Sequence, residues 1–229
     1  RETCIFSPGI ETLYLIITDK CNLRCEYCFV LNNMPKGYKQ TLMSFSVAKE
    51  AIDMFFKNVS MNPPQYKNAA KAIYFYGGEP FINFPVIKSS VEYIESSYAK
   101  ELSSIGDKFR ISIVTNGTLV TEEIAEFIAA RNNIHVAVSI DGPQDVHDVM
   151  RTHEGGQGSF AEAIRGIQLF KQAGKNDVAI SSTVSNHNID KLPLLLELHQ
   201  QYGLASINLN PLTETASSSV GKPYMHKVS

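Results

Sequence analysis

The sequence predicts an α/β fold with parallel strands, and three features carry that expectation. Short β-rich runs alternate six times with longer amphipathic runs along the 229 residues. The short runs are nearly continuous in apolar and β-branched residues, as strands covered on both faces are. Most of them stop at a polar or glycine-rich turn, where both parallel α/β architectures keep their working residues. Six such units suit a barrel-type fold, and a closed eight-stranded barrel needs two more than the chain has room for. A doubly wound open sheet is the alternative, although no glycine-rich phosphate loop follows the first strand.

The first strand is expected over Leu13 to Thr18, leading directly into a cysteine cluster. A helix follows from a Ser46 cap through about Asn58, with Val47, Ala51, Met54 and Phe55 on one face. The second strand, Ala72 to Tyr76, ends at Gly77-Gly78-Glu79-Pro80, and Pro85 suits the first turn of a helix to about Ala99. Phe109 to Thr115 is the third strand, ending at Asn116-Gly117. Thr121 then supplies a cap, and Glu122 and Glu123 match the positive end of a helix dipole. The fourth strand, Ile134 to Ile140, ends at Asp141-Gly142-Pro143, and a helix from Phe160 to Ala173 stops at Gly174. After a fifth strand over Val178 to Val184, Asn188 with Asp190 opens a helix through about Tyr202 and Gly203. Ala205 to Leu209 is the sixth strand, and Thr213 to Lys222 reads as a linker-like tail.

A formal net charge of -2, with 44% apolar or aromatic residues, lies in the globular range and excludes disordered or collagen-like chains. The near-neutral balance argues against a nucleic-acid partner, and no apolar run approaches the roughly 18 residues of a membrane span. The N-terminus lacks a secretory pattern and opens at Arg1 rather than Met, so a fragment or a processed form is expected, in the cytoplasm.

Three of the four cysteines, Cys21, Cys25 and Cys28, fall within eight residues. A disulfide scaffold would spread its cysteines to close long loops, so the cluster points to metal or redox chemistry in a reducing compartment. Cys4 stands apart and reads as a buried bystander. The C-x3-C-x2-C loop offers three thiolates, whereas a cubane iron–sulfur cluster takes four, so one iron would stay open. The alternative is a zinc site completed by a distant histidine or by Cys4, yet zinc knuckles pair C-x2-C with a second such pair, and none is present.

With that spacing after the first strand and Gly77-Gly78-Glu79-Pro80 after the second, the sequence resembles the radical S-adenosylmethionine (SAM) enzymes. Thr115-Asn116-Gly117, the Ser139-Ile140-Asp141-Gly142-Pro143 run, His147-Asp148 and Arg151 resemble the branch that carries a C-terminal SPASM or twitch domain. That branch includes anaerobic sulfatase-maturating enzymes and maturases of ribosomally made peptides. The resemblance implies a partial (β/α)6 TIM-like barrel with parallel strands, open on one side. It makes residues 1–11 an N-terminal extension, 12–212 the core and 213–229 a tail leading into a missing C-terminal region.

For the site, the resemblance implies that Cys21, Cys25 and Cys28 hold a [4Fe–4S] cluster whose fourth iron is chelated by SAM. Tyr27 is expected beside the adenine, Gly77, Gly78 and Glu79 at the SAM ammonium, Thr115 and Ser139 at the ribose, and Arg151 at the SAM carboxylate. His147 and Asp148 are expected to brace one loop, and Asn208, Asn210 and Leu212 to line the pocket. No acid–base pair stands out, and the catalytic group beyond the cofactors is unknown. The implied reaction is reductive cleavage of SAM to a 5′-deoxyadenosyl radical that takes hydrogen from a peptide or protein side chain. A maturase installing a thioether or carbon–carbon cross-link is the leading expectation, and formylglycine formation is its rival. A non-catalytic iron–sulfur or zinc protein is the alternative of another class. The implied partners are a peptide or protein substrate and a small electron donor such as flavodoxin or ferredoxin, with auxiliary iron–sulfur clusters possible in the missing region.

Overall fold

The computed structural model describes residues 9–212. Cys4, residues 1–8 of the expected extension and the expected tail at 213–229 lie outside the described residues. Among the described residues, six strands form one sheet in sequence order: β1 (Thr12–Thr18), β2 (Lys71–Gly77), β3 (Phe109–Thr115), β4 (Ile134–Ser139), β5 (Ala179–Val184) and β6 (Ile207–Pro211). Every neighbouring pair is parallel, and β1 does not pair with β6. The sheet is therefore an open partial barrel, not a doubly wound sheet, because its strand order never reverses.

Among the described residues, eight α-helices accompany the strands: α1 (Phe45–Ser60), α2 (Pro64–Lys67), α3 (Phe84–Ser97), α4 (Ala99–Ile105), α5 (Glu122–Ala129), α6 (Gln144–Met150), α7 (Phe160–Gln172) and α8 (Leu192–Gln201). The period-2 alternation of each strand sends Leu15, Ile17, Ile73, Phe75, Ile111, Ile113, Val136 and Val138 into one continuous core under the helices. The other set, including Tyr76, Val114, Ser139, Ser181 and Thr183, lines the hollow side of the sheet.

Local chemistry explains most helix ends. Thr121 caps α5 by accepting the Ile124 N–H, Pro85 sits in the first turn of α3, and Gly174 beyond α7 takes a φ of 91°. Other expectations need correction. The cap of α1 is Ser44, which accepts the Val47 N–H, not Ser46. Its buried face is Ala48, Ile52, Phe55 and Phe56, while Val47 and Met54 are 51% and 58% exposed. The helix carries two apolar stripes, and burying an Ile or Phe contributes about 1.5–3 kcal/mol each, so the stripe holding Ile52 and both phenylalanines turns inward. Asn188 does not cap α8; a short 3-10 turn intervenes, and its side-chain amide donates to the Asp141 and Thr183 carbonyls. Helices α2, α4 and α6 were not anticipated, being only four to seven residues long. His147 and Asp148 thus sit on a helix, α6, rather than a loop.

Candidate active site

A cavity of about 530 Å³ opens at the C-terminal ends of the strands. That volume is within the usual range for a small-molecule or cofactor site. Cys21, Cys25, Cys28, Tyr27, Gly77, Gly78, Thr115, Ser139 and Arg151 all line it, so residues up to 130 positions apart converge on one hollow. Asn210 and Leu212 also line it, while Asn208 does not.

The cysteine loop leaves β1 and is pinned at two places. Near its start, the Gly78 N–H donates to the Thr18 carbonyl at 2.9 Å and the Glu79 N–H to the Lys20 carbonyl at 2.8 Å. A Cβ on Gly77 or Gly78 would stand 2.0 Å or 2.2 Å from the Thr18 or Lys20 carbonyl oxygen, so no larger residue fits. The glycine pair is therefore required by this close main-chain crossing, whatever ligand the cavity takes. Further along, the Arg24 and Glu26 N–H groups donate to the Thr152 and Met150 carbonyls at 2.6 Å and 3.0 Å, anchoring the loop to the segment formed by the end of α6 and the residues just after it.

That segment is held in turn by a buried polar group the sequence did not reveal. Arg151 grips Asp141 through Nε at 2.8 Å and Nη2 at 3.3 Å. Tyr27 donates its hydroxyl to the same carboxylate, and the Thr183 N–H donates to it at 2.9 Å. Burial alone would raise the Asp141 carboxyl, but the Arg151 guanidinium and these donors outweigh it and hold the carboxyl below its usual range. Tyr27 lies beneath Arg151, whose guanidinium is 5.3 Å from the ring centre. His147, buried and pushed down to about 4 by desolvation, pairs its Nε2 with Ser159 at 3.0 Å, and Asp148 accepts the Phe160 N–H at 2.8 Å. Both contacts fall at the start of α7.

Glu79 is engaged by donors of the protein itself. It does not line the cavity; it is fully buried, and its carboxylate accepts from Thr115 Oγ1 at 2.7 Å, the Asn116 N–H at 2.7 Å and the Phe81 N–H at 3.0 Å. It ties the end of β2 to the end of β3. The Thr115 hydroxyl is engaged in the same knot, donating to Glu79 and accepting the Gly117 N–H. Ser139 Oγ, in contrast, has no hydrogen-bond partner among the described residues and faces the cavity.

Burial pushes the Glu79 carboxyl up to about 7, against the pull of those three donors, from a usual 4.5. The folded chain then holds this proton more tightly than the unfolded chain, so the group makes stability fall as pH rises from about 4.5 to about 7. Glu79→Gln is expected to flatten stability across that window, while losing about 1–3 kcal/mol because the amide presents a donor to donors. Urea denaturation at about pH 5 and about pH 7 measures both effects; an unchanged slope in the variant would refute this assignment.

Among the described residues, no three His, Cys, Asp or Glu side chains stand close enough to share one metal ion. A cubane cluster instead takes one thiolate per iron. Three cysteine thiols facing one cavity, two of them receiving main-chain donors (Leu23 N–H to Cys21 Sγ and Leu31 N–H to Cys28 Sγ, both 3.4 Å), fit that requirement.

The family model of the radical SAM superfamily matches residues 15–198, from the first strand to the last helix. The chain belongs to the radical SAM superfamily. It is 34% identical over 175 residues to a serine-type anaerobic sulfatase-maturating enzyme of Bacteroides thetaiotaomicron, covering 74% of this chain and 39% of that one. It is 32% identical over 204 residues to an uncharacterized protein of Methanocaldococcus jannaschii, covering 89% of this chain and 63% of that one. The chain therefore spans less than two thirds of the length of either relative. Two solved structures share the fold. One is anSMEcpe with bound AdoMet, with a TM-score of 0.71 and 22% identity, covering 93% of this chain and 54% of that one. The other is Streptococcus suis SuiB bound to precursor peptide SuiA, with a TM-score of 0.69 and 16% identity, covering 93% and 42%.

Proposed function

We propose that this chain forms the cluster- and SAM-binding part of a radical SAM enzyme that modifies a peptide or protein side chain. The observation that carries the reading is the convergence of all three loop cysteines with Arg151, Ser139 and the Gly77–Gly78 crossing on one cavity. Cys21, Cys25 and Cys28 would hold three irons of a [4Fe–4S] cluster and leave the fourth for SAM. When bound, these cofactors supply a 5′-deoxyadenosyl radical able to take hydrogen from an unactivated position.

The chain's own residues bind and orient. Arg151 keeps Nη1 clear of Asp141, so one face of its fork remains for the SAM carboxylate. Ser139 offers an unengaged hydroxyl to a ribose, and Tyr27 lies beside the cysteines on the cavity wall, where an adenine could pack. Glu79 and Thr115 contribute indirectly, by fixing the end of β3.

Two observations support a peptide substrate. The sheet stays open between β1 and β6, which admits a large substrate. Relatives include a radical SAM cyclopropyl synthase, TigE, at 28% identity and a mycofactocin maturase, MftC, at 29%. A maturase that cross-links a ribosomally made peptide through a thioether or carbon–carbon bond is the reading we favour. The 34% identity to a sulfatase-maturating enzyme supports formylglycine formation as the second. A one-electron donor such as flavodoxin or ferredoxin belongs to either. No helix among the described residues is long and apolar enough to cross a membrane.

Anaerobic reconstitution with iron and sulfide, then dithionite and SAM, is expected to yield 5′-deoxyadenosine. A normal cluster content with no SAM cleaved would overturn the reading. Stimulation of that yield by a Cys-rich precursor peptide, against a sulfatase-derived one, separates the two substrates.

A further inference from the structure

A ring of three side chains stands behind the first cysteine. Asn22 Nδ2 donates to Thr118 Oγ1 at 2.8 Å, Thr118 Oγ1 donates to Asn116 Oδ1 at 2.8 Å, and Asn116 Nδ2 donates to Asn22 Oδ1 at 2.9 Å. The Thr118 N–H adds a second donor to Asn116 Oδ1 at 3.0 Å. With two donors on one end of the amide, its orientation is determined: the oxygen must face Thr118 and the nitrogen must face away from it. Of the two Nδ2 protons, one goes to Asn22 and the other faces Cys21 Sγ, 3.9 Å from the nitrogen. The Asn116 main chain is held as firmly, by the buried Glu79 carboxylate on its N–H. Among the three loop cysteines, Cys21 alone has a side-chain donor within the described residues.

We infer that Asn116 is a positioning residue that tunes the cluster through Cys21, with Thr118 and Asn22 setting its aim. The inference rests on the cluster reading of the cysteine loop given above. Reduction adds an electron, and so negative charge, to the cluster and its thiolates. A donor aimed at a ligand sulfur therefore stabilises the reduced form more than the oxidised form and raises the reduction potential. No bond is made or broken by Asn116 itself. The arrangement also gives Glu79 a role without contact to SAM, because it fixes the main chain from which the donor projects.

The test is an EPR-monitored redox titration of the anaerobically reconstituted protein, with the relevant signal assigned by its loss in Cys25→Ala. Asn116→Asp keeps an acceptor for Thr118 but has no donor for Cys21. Its cluster should show at least a tenfold smaller reduction equilibrium constant, a fall of about 59 mV for a one-electron couple. Thr118→Val leaves the amide in place and frees it to turn, so a smaller fall in the same direction is expected. Iron and sulfide content is measured in each variant. Wild-type potentials in both variants at full cluster content would overturn the inference and leave the cluster reading standing. Should Asn116→Asp assemble no cluster, an unchanged potential in Thr118→Val is sufficient to overturn it. A wild-type protein with no Cys25-dependent signal would remove the cluster reading itself.

Discussion

Replacing Cys25 with alanine should leave a folded protein that holds no cluster and produces no 5′-deoxyadenosine. The Cys25 side chain makes no hydrogen bond among the described residues, and the loop around it is fastened by main-chain bonds from Arg24 and Glu26 to Thr152 and Met150. Those bonds survive the truncation, so the far-ultraviolet circular dichroism of the apo variant should match that of the apo wild type. The metal site does not survive it. Two thiolates remain where a cubane needs one on each of three irons, and no other grouping of His, Cys, Asp or Glu among the described residues can hold a metal in its place. Iron and sulfide analysis with visible absorption after reconstitution checks this. A variant that kept wild-type iron, sulfide and SAM cleavage would remove Cys25 from the ligand set.

Asp141→Ala is the substitution expected to cost the most stability. It strands the Arg151 guanidinium, with its side chain only 10% exposed, and leaves the Tyr27 hydroxyl and the Thr183 N–H without their acceptor. Removing one partner of a buried ion pair costs about 3–5 kcal/mol. For a chain of this size, that corresponds to a fall in Tm of roughly 6–20 °C. It is also a large share of the roughly 5–15 kcal/mol by which domains are stable. Exposed pairs such as Arg24–Glu154, with Glu154 82% exposed, should matter far less. Pairing Asp141→Leu with Arg151→Met should recover much of the loss, since an apolar replacement of a buried pair is tolerated far better than half of one. Because the Asp141 carboxyl is held below its usual range, its contribution is present above the unfolded carboxylate pKa and is lost as pH falls through the folded one. Thermal denaturation near neutral pH measures the main effect, and a loss under about 1 kcal/mol would show that the network is not what fastens the loop.

How far the sequence led can be judged from these same residues. Chemistry written in short spacings was legible. Three cysteines in eight residues, Gly77-Gly78 after the second strand, and the caps and stops at Thr121, Pro85 and Gly174 all act over one turn or one loop. Arg151 was expected at the SAM carboxylate; its partner among the described residues, Asp141, lies ten residues back. The partners of Glu79, Thr115 and Asn116, lie 36 and 37 residues along the chain, out of reach of the motif itself. The motif marks that position without showing which way the side chain turns. Asn116 was noted only as part of Thr115-Asn116-Gly117, and its facing of Cys21 depends on a ring that spans 96 residues. The exposure of Val47 and Met54 on α1, whose expected companions Ala51 and Phe55 do pack inward, has a different cause: both stripes satisfy a helical period, and only the sheet beneath selects one.

The sequence by itself determined the alternation of strands and helices, and hence the parallel sheet, because hydrophobic periodicity and turn chemistry are local. It also determined the three-thiol loop and its resemblance to radical SAM enzymes. Only the tertiary structure decided that Asp141 fastens Arg151 and Tyr27 beneath the cysteine loop, and that the Glu79 carboxylate meets Thr115 and Asn116 at the end of β3. Those outcomes depend on which buried donors meet which acceptors once distant strand ends are brought together. A buried polar group must find its partner wherever the fold places one.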